Sequence, residues 1–455
     1  MAFATKATET IMNAQVFNYI VRPSVVRADA ESAITIHPLG ENGAFKAGLT
    51  YTISIRDVDT AHAFYDALPT AVYECTPDEN GDLVVSHFFK GEQKHVIMLK
   101  RPEEDMRSPY YEINNHRGRF GENAAVTLAV YSLNADLYGM RCYKGEVHCH
   151  TFDSDGIQDA MHTVGNYRNA GYDFMALTDH FTSYASEKAM RVFGDAPVDM
   201  TLMLGEEVHV PAESIHIVHL GGRESINEYF RRHREESYAE VAKIEAELDL
   251  PDDINANDYA WRIFISRKAK EFGGLSYLTH PFWIWSYVYF MGVSATKQLL
   301  RESVHDALDL RDDDMEAAVA LWAELRAEGV RIPIVGSTDS HRSNPDNPNL
   351  AAKGGYTLVF APDRSTASIL AAIRDDRSLC VSTKSDEFVY GSFRLVKFAR
   401  FLLDHYYPVY KKLCWGQGTV MSEFPAAGKP DDALVQILSA LNKRSEQFAK
   451  EFFGY

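Results

Sequence analysis

Histidine and acidic side chains recur in this chain at one place in a repeating pattern, where a short apolar run stops. The clearest case is Lys144–Gly156, which carries His148, His150 and Asp155. Residues two apart in an extended backbone project to the same side, so His148 and His150 stand together, with Val147 and Cys149 turned away. The apolar run Tyr172–His180 then ends in Asp179-His180, and Met200–His209 ends with Glu206, Glu207 and His209. Ser214–Gly221 holds His216 and His219, Leu275–Pro281 ends at His280, and Val330–His341 ends in Asp339 and His341. Helical segments separate these runs, which is the alternation of an α/β fold. In a parallel barrel such strand ends converge on one face, the face that carries the chemistry. Histidines placed only for packing would not fall into that phase.

The rest of the chain is organised around this part. At 455 residues it is too long for one ordinary core. From about Ser32 to Leu133, strand-like runs come at short intervals, as in Leu49–Ile55 and Lys94–Lys100, and predict an antiparallel β-sandwich. Asn80-Gly81, between Ala71–Cys75 and Leu83–Phe89, reads as a hairpin signal. His87, His95 and His116 are expected at the surface. A polar, helix-rich insertion runs from Ser225 to Gly273 and includes Arg231, expected on a solvated helix face. Helices are also expected over Ile157–Ala170, Asp314–Glu328 and Asp431 to about Phe453, the last packed on the barrel. The predicted domains are therefore 1–142 (β-sandwich), 143–385 (barrel) and 386–455 (C-terminal helices).

A net charge of −18 argues against a broad basic face for nucleic acid. The five cysteines, Cys75, Cys142, Cys149, Cys380 and Cys414, include no Cys-x-x-Cys pair and fit a reducing compartment. No signal peptide is visible, and the greasiest run, Phe282–Ala295, is too short to span a bilayer. The expectation is a cytoplasmic protein bound to neither membrane nor nucleic acid; the sequence is silent on oligomeric state.

With these residues assembled, the chain resembles the PHP (polymerase and histidinol phosphatase) superfamily over roughly residues 143 to 385. The resemblance rests on His148-x-His150 with Asp155, Thr178-Asp179-His180, Gly205-x-Glu207, His216-Ile-Val-x-Leu220, His280-Pro281 and Gly336-Ser-x-Asp339-Ser-His341, in the family's order. It implies a distorted (β/α)7 barrel holding two or three divalent metal ions (Zn, Mn or Fe), and usually hydrolysis of phosphate esters. The N-terminal β domain and the Gly-Glu-Glu-Val-His form of the third motif are more similar to the carbaryl-hydrolase branch, whose members cleave carbamates or carboxylic esters. Gly336-Ser-Thr-Asp339 carries a Thr where many members read Gly-Ser-Asp.

Carried over motif by motif, the resemblance implies His148, His150, Asp155, His180, Glu207, His216, His280, Asp339 and His341 as metal ligands, with Glu207 bridging. His216 is preferred to His219, since odd spacing reverses the face of a strand. His209 shares the parity of Glu207 but is left outside the set, Glu206 is expected to face away, and Asp179 is expected to orient a ligand histidine. The expected reaction is attack by a metal-bridging hydroxide on a small phosphoester, with Glu207, Asp339 and His341 catalytic. A carbamate or carboxylic ester is the alternative, and a nuclease a more distant one. The aromatic run Phe282–Phe290 either lines a substrate pocket or packs as core; Trp283 is taken as a substrate contact, and Arg342 as the group that would meet an anion.

Overall fold

The computed structural model describes residues 18–41, 43–60, 69–105, 126–311, 315–343, 355–383, 387–426 and 429–455. The expectations for His116 and for the start of the helix at Asp314 lie outside them. Two compact units emerge. One takes in Met1–Gly139, Lys397–Tyr410 and Ser445–Tyr455; the other takes in Met140–Val396 and Lys411–Arg444.

The first unit holds two sheets around one core. β1 (Tyr19–Arg22), β3 (Ala30–Pro38) and β6 (Leu83–Phe89) form an antiparallel three-stranded sheet. The five-stranded sheet runs β2-β8-β7-β4-β5, with β2 (Val25–Arg27), β4 (Tyr51–Asp57), β5 (Ala71–Cys75), β7 (Lys94–Lys100) and β8 (Val126–Leu133). Its pairs are antiparallel except β2 with β8. Alternating residues of β4, β6 and β7 turn inward, and Ile53, Ile97 and Leu99 meet Ile34, Leu83 and Val85 from the other sheet.

Two expectations fail in this unit. Asn80-Gly81 does not close a hairpin, because β5 pairs with β4 while β6 pairs with β3. The turn carries the chain from one sheet to the other. His87 and His95 are not surface residues. They occupy inward positions of β6 and β7, in phase with Val85 and Ile97, and are buried. Strand parity decided their burial, and polarity did not override it.

The second unit is a mixed α/β structure. Its six-stranded sheet runs β11-β10-β9-β19-β20-β21, formed by β9 (Arg141–Glu146), β10 (Phe174–Met175), β11 (Thr201–Leu202), β19 (Gly355–Ala361), β20 (Ser378–Ser382) and β21 (Phe388–Tyr390). Its five-stranded sheet runs β12-β13-β14-β17-β18, from β12 (Gly205–Val208), β13 (Ile217–Leu220), β14 (Leu275–Leu278), β17 (Ala307–Asp309) and β18 (Ile334–Val335). Two isolated parallel bridges, Cys149 with Ser340 and His180 with Glu207, tie one sheet to the other. The strands are not all parallel as expected, since β12, β13 and β14 alternate in direction, as do β9, β19 and β20. A hairpin of β15 (Ile284–Trp285) and β16 (Val288–Tyr289) projects after β14.

Helices cover these sheets. α1 (Ala160–Asn169) is capped by Asp159, whose carboxylate accepts from the N–H groups of Met161 and His162. The stretch from Ser225 to Gly273 folds as α3 (Ile226–Arg232), α4 (Arg234–Ala246) and α5 (Ala256–Glu271), after α2 (Tyr184–Phe193). Trp261 and Phe264 of α5 sit in a core with Ile217, Leu278 and Leu308. Then come α6 (Val293–Arg301), α7 (Met315–Ala327), α8 (Thr366–Arg374), α9 (Phe393–His405), α10 (Tyr407–Ser422) and α11 (Asp432–Phe453). No helix among the described residues is long and apolar enough to cross a membrane.

α1 and α10 cross with their backbones almost in contact. A Cβ on Gly418 would lie 2.1 Å from the carbonyl oxygen of Gly165, and one on Gly165 would lie 2.6 Å from that of Gly418. Backbone cannot yield as a flexible side chain can. Gly418→Ala is therefore expected to cost roughly 1–3 kcal/mol, read from the midpoint of urea unfolding.

Candidate metal centre

The two bridges fall among the donor side chains, because the strands run on past their last paired residues. Beyond β9, Val147 and Cys149 are buried on one side while His148 and His150 turn to the other. The His150 N–H donates to the Ser340 carbonyl at 2.8 Å, and the Asp339 N–H donates to the His148 carbonyl at 2.8 Å. Strand ends from both sheets are thus stitched together where the ligands stand. Three non-glycine residues there have left-handed backbones: Phe181 (φ 61°), His280 (φ 30°) and Asp339 (φ 50°). Such strain persists only where surrounding bonds over-determine it, and it concentrates at functional sites.

All nine expected ligands lie in overlapping groups whose donor atoms are within 4.8 Å of one another. His148, His150, Glu207 and Asp339 form one group, and His150, Asp155, His180 and His341 a second. Glu207 with His216 and His280 forms a third, and Glu207 with His180 and His209 a fourth. Glu207 joins three of them. Its Oε1 lies 2.7 Å from His216 Nδ1 and 3.4 Å from His280 Nε2. Its Oε2 lies 2.8 Å from His180 Nδ1, 3.4 Å from His148 Nε2 and 3.6 Å from both His150 Nε2 and His209 Nε2. On the solvent side, Asp155 Oδ2 approaches His341 Nε2 at 3.1 Å and His180 Nε2 at 3.5 Å.

Six imidazoles surround one fully buried carboxylate. A carboxylate offers about four lone-pair sites, so six N–H donors cannot all be satisfied. Both Glu207 oxygens, His148 Nε2, His150 Nδ1, His209 Nδ1, His216 Nδ1 and His280 Nδ1 are buried without an aligned hydrogen-bond partner among the described residues. Close approach without that alignment is what shared cations reconcile, and mixed imidazole and carboxylate donors suit divalent transition ions. The residues present fit such ions.

The electrostatics agree. Burial alone would raise the Glu207 carboxyl, but the surrounding histidines, His148 foremost, hold it well below the usual carboxylate range. Burial acts the same way on Asp339, where His148, His150 and Arg311 overcome it. His280 is pushed down to about 4 by burial, whereas Asp339 and Glu207 hold His148 up at about 9 against its burial, so an ion bound there would displace a proton from His148.

Supporting residues divide by face. Glu206 points away from the centre and accepts from His219 Nδ1 (2.9 Å), the Ser225 hydroxyl (2.5 Å) and the Ile226 N–H (2.6 Å). His216 stands just before β13 and enters from the strand's start, since β13 runs opposite to β12. Asp179 does not orient a histidine. It accepts from the Thr151 N–H (2.8 Å), the Thr151 hydroxyl (2.9 Å) and the Ser154 hydroxyl (2.6 Å), fixing the turn that presents Asp155. The orienting role for His148 falls to Thr279, whose Oγ1 meets His148 Nδ1 at 2.9 Å and bonds Asp309 Oδ2 at 3.2 Å.

Three residues of the centre were not foreseen as members. His209 points inward and lies 2.8 Å from His180 Nδ1; its shared parity with Glu207 was the available signal. Asp309 ends a strand of only three residues, and Arg311 lies two residues beyond it, a run too short to register as a period. Arg311 is buried and ion-paired with Asp339. Of the expected substrate contacts, Trp283 packs its ring 5.6 Å from that of His280 and 6.3 Å from that of His216, beside Phe290. Arg342 is exposed, and its backbone bonds the Ser340 hydroxyl.

No family model and no curated protein matches the chain. Among solved structures it is similar to a two-domain Bacteroides vulgatus protein containing a predicted PHP-like metal-dependent phosphoesterase. That likeness has 17% identity and a TM-score of 0.37, covering 54% of this chain and 66% of the other. It is also similar to an amidohydrolase from Chromobacterium violaceum with bound sulfate, at 17% identity and a TM-score of 0.31, covering 45% of this chain and 89% of the other.

Burial pushes the Asp309 carboxyl up to about 6 against its bonds from Ser337 and Thr279. Folded Asp309 keeps a proton that the unfolded chain releases, so its contribution is full below about pH 4 and is lost as pH rises through about 6. Asp309→Asn should remove that loss. Relative to wild type, its stability should gain between pH 4 and 7, by on the order of 3 kcal/mol at most, read as a rise in melting temperature across that range.

Proposed function

We propose that the second unit is a PHP-type metal-dependent hydrolase acting on a small phosphoester. The observation that carries this reading is the placement of Glu207, whose two oxygens face different sets of imidazoles in a buried, anionic centre. His148, His150, Glu207 and Asp339 would hold one divalent ion, Glu207, His216 and His280 a second, and Asp155, His150, His180 and His341 a third. When bound, such ions supply Lewis-acid polarisation of the scissile group and lower the pKa of coordinated water.

The chain's own residues do the rest. Arg311 pairs with Asp339 and keeps that carboxylate oriented and ionised. Thr279 and Asp309 fix the ring of His148. Asp155 and His341 are the donors most open to solvent, so the substrate meets the centre on their side. Trp283 and Phe290 form an aromatic wall against His216 and His280 and exclude water there. That wall favours a second reading on the same centre, hydrolysis of a carbamate or carboxylic ester with an apolar group.

Protein loaded with zinc or manganese and assayed on nitrophenyl phosphate, a nitrophenyl diester and nitrophenyl acetate separates the two. Turnover of the monoester is expected, and turnover of the acetate alone would give the reaction to the second reading. Glu207→Gln should lower turnover at least about 10³-fold and reduce bound metal, since it removes the anion shared by three donor groups. His209→Ala should retain more activity than Glu207→Gln, because its ring meets the centre at one edge only.

A further inference from the structure

The first unit contains a second cluster of metal-donor side chains, wholly separate in sequence from the centre above. Asp57, at the end of β4, lies directly across from His95 of β7 in the antiparallel register. His87 comes from β6, in the opposite sheet. All three are buried, His95 completely and His87 with 7% of its surface exposed. Their donor atoms lie within 4.8 Å of one another. Phe89 seals the cluster with its ring 4.8 Å from that of His87 and 5.0 Å from that of His95.

Hydrogen-bond accounting leaves this cluster short of a positive charge. His95 Nε2 lies 2.8 Å from the Ser132 hydroxyl. That hydroxyl has one hydrogen, which goes to the backbone carbonyl of Gly91 or Gln93, and its oxygen also accepts from the Gln93 N–H. His95 Nε2 must therefore be the donor to Ser132. In a neutral ring Nδ1 is then a bare lone pair, and it faces the Asp57 carboxylate at 2.8 Å. His87 repeats the arrangement, since its Nδ1 meets the Tyr73 hydroxyl at 2.8 Å while its Nε2 is buried with no hydrogen-bond partner among the described residues. Each imidazole has an oxygen on one nitrogen and leaves the other directed at the cluster. A metal-binding histidine is normally supported in this way.

We infer that Asp57, His87 and His95 bind a divalent transition ion of the zinc type, through Asp57 Oδ1, His87 Nε2 and His95 Nδ1, and that this ion staples the two sheets of the first unit. Two imidazoles and one carboxylate are an established zinc donor set. With bonds of about 2.0–2.2 Å in tetrahedral geometry, Asp57 and His95 would part by about half an ångström, within the reach of two side chains. The ion would take a position in the sandwich where parity calls for apolar residues. That accounts for three ionisable side chains beside a core rich in Ile, Val and Leu.

The test is anomalous diffraction at the zinc edge from crystals of the full chain grown with zinc chloride. A peak about 2.0–2.3 Å from Asp57 Oδ1, His87 Nε2 and His95 Nδ1 is expected. No peak there at saturating zinc overturns the inference, whatever the Glu207 centre binds, and would leave a buried Asp–His–Ser hydrogen-bond chain. In solution, His87→Gln and Asp57→Asn should each lower bound zinc by one equivalent per chain while leaving hydrolysis by the second unit unchanged. An unchanged zinc content in folded variants also overturns the inference; if a variant fails to fold, the wild-type map decides.

Discussion

A carboxylate removed from water must be compensated from within, and Glu207 is compensated by a shell in which imidazole predominates. This single burial organises much of the second unit. Six rings have to arrive from several chain segments, so the strands must run beyond their regular pairing and be held there by isolated bridges and single backbone bonds. A buried anion without cations nearby would cost several kcal/mol. The strain at Phe181, His280 and Asp339 can be tolerated only because those same bonds determine the backbone around it.

The layer behind the donors shows the same economy of position. Adjacent residues Glu206 and Glu207 serve opposite purposes because strand parity turns one toward α3 and the other toward the centre. Glu206 is ionised too, its burial overcome chiefly by His219 and by the Ser225 hydroxyl and Ile226 N–H. Asp179 and Asp309 likewise act on backbone and hydroxyl partners rather than on ions. Carboxylates of the second unit therefore divide into those that hold the frame and those left underbonded.

Much of this centre was legible in the sequence because donors fall at strand ends with fixed parity. His148 and His150 need only an extended backbone to stand together, whereas the left-handed backbone at Asp339 sends Asp339 and His341 to different donor groups. What was not legible depended on direction and length. The reversal of β13 relative to β12 brings His216 in from the start of its strand, and no local pattern records that reversal. Asp309 ends a three-residue strand whose period is too short to see, and Arg311 follows two residues beyond it. In the first unit, the alternation of β6 and β7 was visible, yet His87 and His95 were judged by polarity. Where the two signals conflict inside a strand, position is the better guide. The pairing of β5 and β6 with different partners is a long-range choice that Asn80-Gly81 could not encode.

The hairpin of β15 and β16 begins four residues after His280, and its base is closed by the Phe290 N–H on the Trp283 carbonyl (2.7 Å) and the Met291 N–H on the Pro281 carbonyl (3.0 Å). Beyond that clasp the tip is open, with Tyr287 almost entirely in solvent. The tip and the donor side chains are thereby mechanically decoupled. Beyond the clasp the hairpin can lengthen, shorten or change its side chains without displacing His280 from the shell around Glu207.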